Sequence, residues 1–234
     1  MPRRALLVCG ILSSLLYVGI DVLAAMRYGD YHSFTSRAIS ELGAIGAPTR
    51  QLVHPLFITY SVLIIAFGVG VWESAGRKRA LHLIAALVMG IGVVGLATPP
   101  MYLRGTENIS GDIPHIVLTG VIVLFILSAI AIGASLHGER WRLYSLATLL
   151  ILLVSGAWTG LEATRLAAQQ PTPWLGVAER INIGGYLLWV LLLSIMLLRR
   201  KTPSTAESIH GADGRSPVHR AVRDRPAPIA PGRP

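Results

Sequence analysis

The sequence predicts an all-α protein, a polytopic bundle of six transmembrane helices with its N and C termini cytoplasmic. Three observations predict it. The 234 residues are 53% hydrophobic and only 14% charged, with a mean hydropathy of +0.58, a balance outside the range of a water-soluble domain. The apolar residues gather into six runs of spanning length: Ala5 to Met26, Leu52 to Glu73, Ala80 to Pro99, Ile113 to Leu136, Leu143 to Thr164, and Gly176 to Leu198. An even number of spans puts both termini on one side, and the bases are divided unequally between the sides. Arg3, Arg4, Arg77, Lys78, Arg79, Arg140, Arg142, Arg199, Arg200 and Lys201 fall with the termini, against Arg27, Arg37, Arg50, Arg104 and Arg165 opposite. The positive-inside bias therefore makes the termini cytoplasmic.

Composition excludes several classes of function. The net charge of +9 lies largely at membrane borders, and no stripe of aromatic and basic residues exists for nucleic acid, which is not expected as a partner. The single cysteine, Cys9, excludes an intrachain disulfide, a Cys-based zinc knuckle and an iron-sulfur site.

The first span follows Arg3 and Arg4 as a signal peptide would, but its length and Asp21 argue for a retained helix. Ser13, Tyr17 and Asp21 recur every four residues and form one polar stripe. Asp21 lies about five residues, ~7 Å, below the outer end of its span, too deep for its short side chain to reach the surface. A loop of about 25 residues follows, in which Ser36 to Gly43 reads as a short amphipathic helix stopped at Gly43, with Gly46 and Pro48 turning the chain into the second span. That span carries His54 and Ser61 on one face. Ser74 to Arg79 is short enough to make the second and third spans antiparallel neighbours. Ala86, Gly90, Gly92 and Gly95 give the third span a surface that another helix can approach closely.

The second outer loop contains an Asn108-Ile109-Ser110 sequon and ends at Asp112, which sits where a helix N-cap belongs, with Pro114 in the first turn. His115 follows three positions later. His137 to Arg142 joins the fourth span to the fifth, on which Ser155, Thr159 and Glu162 form a polar stripe. Glu179, Asn182 and Tyr186 share a face of the sixth. Residues 202–234, rich in Pro, Gly, Ser and Arg, are expected to form a disordered basic cytoplasmic tail outside the transmembrane domain 1–201. The 19 arginines against 2 lysines fit GC-rich bacterial coding, hence a bacterial cytoplasmic membrane.

The costly residues mark the candidate site. Asp21, His54, Asp112, His115, Glu162, Glu179 and Arg180 all fall in the outer part of their spans, while the inner membrane half is almost free of charge. A charge in hydrocarbon costs roughly 2.5 to 3.5 kcal/mol, so such groups face a cavity or a partner. The expectation is one outward-facing ionisable pocket, with Ser40 and Glu41 turned toward it from the loop. The competing expectation is a set of struts in which Glu179 and Arg180 pair with Arg165 and Glu162.

The stretch Ile39-Ser40-Glu41-Leu42-Gly43-Ala44, then Gly46-Ala47-Pro48, then a helix opening His54-Pro55-Leu56-Phe57, resembles the prokaryotic domain-of-unknown-function 998 family of six-span membrane proteins. Asp112 with His115, and Gly176 with Glu179-Arg180, are similar to that family's polar positions. Thr98-Pro99-Pro100 stands where the family's pattern suggests a Phe-Pro-x-Asp-like element. A fainter similarity, through an Ile-Ser-x-x-Gly pattern, runs to the Frag1/DRAM/Sfk1 membrane proteins and implies lipid- or anchor-related work. The resemblance implies architecture and no established activity.

Three functions fit these residues. The first is binding, sensing or transport of a small polar or amphiphilic ligand such as a lipid head group, ion or metabolite, with membrane lipids as the surroundings. The second is an intramembrane enzyme acting on a lipid or isoprenoid, with Asp21, Glu162 and His115 as acid-base candidates and a divalent metal held by His54, His115 and an Asp such as Asp112 or Asp21, His32 from the loop being a substitute ligand. The third is a structural accessory subunit.

Overall fold

The computed structural model describes residues 2–29, 33–106, 109–168 and 170–200. Six helices account for most of them: α1 (Arg3–Arg27), α2 (Arg50–Glu73), α3 (Arg79–Ala97), α4 (Ile113–Gly133), α5 (Glu139–Ala167) and α6 (Leu175–Arg199). All six are long and apolar enough to cross a membrane. At 1.5 Å per residue, the 19 residues of α3 and the 29 of α5 bracket a hydrocarbon layer of ~30 Å, the longer helices projecting beyond it or tilting. The protein is thus an all-α multi-pass membrane bundle, as its composition requires. His32, Asn108 and the tail 202–234 lie outside the described residues.

The helices pack in chain order, each against the next, and α6 returns to α1 to close the ring. The alternation follows from the short connections 74–78 and 134–138, which leave no length for a crossover; inner and outer end denote the ends with the short and the long connections. Inside the ring, at the end holding the first turn of α1 and the last turn of α6, lies the main apolar core, with Leu7, Phe67, Ile84, Ile130, Trp189 and Leu193 fully buried. Leu12, Leu15, Leu124, Leu150, Val154 and Leu161 face outward, where only acyl chains could cover so much apolar surface.

Small residues set the helix spacing. A Cβ on Gly68 would sit 2.5 Å from Met89 Cγ, and one on Gly92 would sit 2.7 Å from the Ser61 carbonyl oxygen, so α2 and α3 meet nearly backbone to backbone. Gly90 faces Phe125 of α4, and Gly133 admits the Trp189 ring into the core. Of the expected small-residue surface on α3, Ala86 is exposed and its neighbour Ala85 packs against Gly68.

Several ends differ from the sequence expectation for local reasons. Helix α3 stops at Ala97 rather than Pro99, because Pro99 and Pro100 lack the N–H that would continue it and the residue before a proline is driven out of the helical region. Helix α4 ends at Gly133 rather than Leu136, and its last carbonyl is capped from the next helix by Trp141 Nε1 at 2.8 Å. Helix α5 begins at Glu139, four residues before Leu143. The segment expected as an amphipathic helix is only a 3-10 turn, Ser40–Gly43. Ile39 and Leu42 are buried there with Ile20, Ala24 and Val53, so the turn plugs the outer end of the ring instead of lying on its surface. Gly46, with φ +95°, then lets the chain reverse direction.

Candidate functional site

The outer end is a network of charges that stitches loops to helices. Arg180, one turn into α6, aims its guanidinium across to α1 and binds Asp21 with both edges of the fork, Nε to Oδ2 at 2.9 Å and Nη2 to Oδ1 at 2.8 Å. Its Nη1 donates to the carbonyls of Phe34 (2.7 Å) and Arg37 (2.9 Å), and the Phe34 ring lies 4.8 Å from the guanidinium carbon. Beside it, Glu179 Oε2 accepts the Ile39 N–H at 2.6 Å, with the Ser40 N–H also facing that carboxylate. The first turn of α6 has N–H groups with no intrahelical acceptor, and the Thr35 carbonyl takes two of them, from Gly176 (2.8 Å) and Val177 (3.2 Å).

Glu41 is the most buried charge in the loop, 1% exposed. Arg37 Nη1 reaches its Oε2 at 2.9 Å, and Arg104 Nη2 reaches its Oε1 at 2.7 Å. Arg104 also donates to the Ser36 carbonyl and to Thr172 Oγ1, so one side chain joins all three outer connections. Backbone pairing reinforces the junction: the Ile45 N–H donates to the Met101 carbonyl (2.7 Å) and the Leu103 N–H to the Ile45 carbonyl (3.1 Å).

The remaining predicted residues divide among other tasks. Asp112 occupies the N-cap position of α4, but its side chain makes no capping bond; Oδ1 accepts the Tyr102 N–H at 2.7 Å and holds the second loop. His115 Nδ1 lies 2.8 Å from the Pro99 carbonyl oxygen, which can only accept, so Nδ1 is the donor there. Glu162 is 3% exposed and pairs with Arg165 three residues on (3.1 Å), while its Oε2 is buried without a partner. The expected exchange of Glu179 and Arg180 with Arg165 and Glu162 does not form: Arg180 lies closer in the ring to α1 and takes Asp21 instead. His54 is exposed and shares no site, because the first turn of α2 turns its neighbour Val53 inward and leaves His54 on the outside.

Asp21, Ser40, Glu41, Glu179 and Arg180 therefore come together; Asp112 with His115, Glu162 with Arg165, and His54 lie apart. Among the described residues no three His, Cys, Asp or Glu side chains are placed to hold a metal, so His54, His115 and Asp112 do not form the trio considered from the sequence. Sequence reasoning missed Arg37 and Arg104, which it counted only as markers of sidedness. The i, i+4 spacing of Arg37 and Glu41 was the available signal; nothing local announced Arg104. Below the charges, Tyr17 packs edge-on against Tyr60 with ring centroids 4.9 Å apart, an aromatic floor between the outer network and the apolar core. Asn182 ties α6 to α5 through the Leu152 carbonyl and Ser155 Oγ.

Six apolar helices around one core define a multi-pass integral membrane protein. The chain belongs to the family described as Protein of unknown function (DUF998), whose model matches residues 11–196. That match runs from α1 to the last turns of α6 and contains the whole outer network. No curated protein and no solved structure matches the chain.

Proposed function

We propose that this protein binds a small polar or amphiphilic ligand, a lipid head group, ion or metabolite, in its outer ionisable layer, with the loop 33–49 as the cover, for sensing or transport. The observation that carries this reading is the concentration of six charged side chains, Arg37 and Glu41 of the loop 33–49 with Asp21, Arg104, Glu179 and Arg180 against it, at one end of the bundle. The buried Arg104 Nε, which finds no acceptor among the described residues, supports it, since an orphaned polar atom marks where water or a ligand belongs. The base asymmetry between the two ends supports cytoplasmic termini, and with the arginine-rich composition a bacterial cytoplasmic membrane, with 202–234 as a basic tail.

The structural reading, an accessory membrane subunit, is favoured by one observation of its own: Asp21, Glu41 and Glu179 are all engaged by donors already. The enzymatic reading has less support, because Asp21, His115 and Glu162 are each tied to a different partner, Arg180, the Pro99 carbonyl and Arg165. Native mass spectrometry with elemental analysis on the full chain in mild detergent, comparing wild type with Asp21→Asn after circular dichroism has verified folding, separates them. The expected result is a defined species on the wild type that the variant loses. An empty wild type and a variant that only melts earlier would leave the structural reading standing.

A further inference from the structure

The opposite end of the bundle carries a different feature. Where the start of α5 meets the end of α6, a shallow groove of about 410 Å³ opens on the outside of the ring, lined by Trp141, Tyr144, Leu192, Ile195 and Met196 and flanked by Arg140 and Arg199. The aromatic and aliphatic walls are half-buried, whereas both arginines are exposed. Neither arginine has a carboxylate within ion-pair distance among the described residues, in contrast to Arg37, Arg104, Arg165 and Arg180 at the other end. Both stand in terminal turns of helices long and apolar enough to cross a membrane, where lipid phosphates are expected, and the Trp141 indole at the same end is bonded to the end of α4.

We propose that this groove is a binding site for one anionic glycerophospholipid of the adjacent leaflet, its phosphate held between Arg140 and Arg199 and an acyl chain laid along Leu192, Ile195 and Met196. The charge pattern favours this occupant. Two guanidinium groups offer planar, forked donors suited to a phosphate oxygen pair, and the wall below them, Leu192 to Met196, is apolar over about 6 Å, enough for the first methylenes of an acyl chain. A zwitterionic lipid would fill the same wall but bring its own cation to the two arginines.

The test uses the full chain in neutral detergent micelles doped with dioleoylphosphatidylglycerol or dioleoylphosphatidylcholine, with retained lipid counted by native mass spectrometry. The wild type is expected to keep one phosphatidylglycerol under conditions that strip phosphatidylcholine. Arg140→Gln/Arg199→Gln is expected to lower that retention at least about tenfold, whereas Arg77→Gln/Arg79→Gln, which removes the same charge from the same end of the bundle, changes it less than about twofold. Met196→Trp, which fills the wall and keeps both arginines, is expected to lose the lipid as well. Equal retention of the two lipids, equal loss in both double variants, or undiminished retention in Arg140→Gln/Arg199→Gln overturns the proposal. So does a lipid-free dimer that the Met196→Trp change breaks, which would make the groove a contact between copies of the chain.

Discussion

The two ends of the bundle are held by different forces. The outer end is joined by charge: Arg180 grips Asp21 and two loop carbonyls, and Arg104 gathers Glu41, Ser36 and Thr172. The inner end is joined by shape, with Trp189 seated over Gly133, Phe67 over Gly10, and few polar contacts beyond Ser194 to the Leu7 carbonyl and Trp189 to Ser145. Long loops explain the difference. Their backbone groups must find partners, and buried ion pairs satisfy many of them at once, whereas short inner turns bring helices together with little backbone left unsatisfied. Arginines consequently play opposite parts: they are paired in the outer network, whereas Arg140 and Arg199 beside the apolar groove have no carboxylate within ion-pair distance among the described residues.

Substitutions at each end test this contrast. Glu41→Ala is expected to be the most damaging change, about 3 kcal/mol, because it strands Arg37 and Arg104 against each other in a partly buried site. Chemical unfolding in detergent micelles would measure it, and a loss near zero would mean that the outer network is not a clamp. Gly176→Ala comes next, at about 2 to 3 kcal/mol, since its Cβ would sit 2.3 Å from the Arg37 carbonyl oxygen and 2.4 Å from that of Phe34, backbone atoms that cannot swing aside. This change should also expose the loop 33–49 to protease before the helices melt.

Gly133→Ala is the inner counterpart. Its Cβ would lie 2.4 Å from the Trp189 ring, which can tilt, so about 1 to 2 kcal/mol is expected, with altered tryptophan fluorescence and an intact loop. The pair of glycine variants thus reads out each end separately. His54→Ala should shift stability by less than about 0.5 kcal/mol, the value for an exposed side chain without partners; a larger loss would restore His54 to the site.

The ionisable residues were legible one by one, not as a network. Asp21 announced itself because a carboxylate inside a span must be compensated, and Arg180 does so. Its partner was legible only as a requirement, since α1 and α6 are neighbours solely because the ring closes. The same closure leaves Arg165, the partner first expected for Glu179, to Glu162. His54 shows the reverse error: it shares a helix face with buried Ser61, yet at the first turn the helix borders a loop plug rather than the ring, and the inward direction there belongs to Val53. Asp112 carried a cap signature and spends its carboxylate on Tyr102 because the second loop folds back over the helix start.

The number of helices and their alternation follow from the sequence, because burial of apolar runs in a bilayer depends on local composition alone. Which charges meet and whether the loop 33–49 plugs or floats follow from the tertiary packing. Those outcomes depend on which helices become neighbours and how each is rotated, and that is fixed by glycine contacts and loop lengths acting across the whole ring.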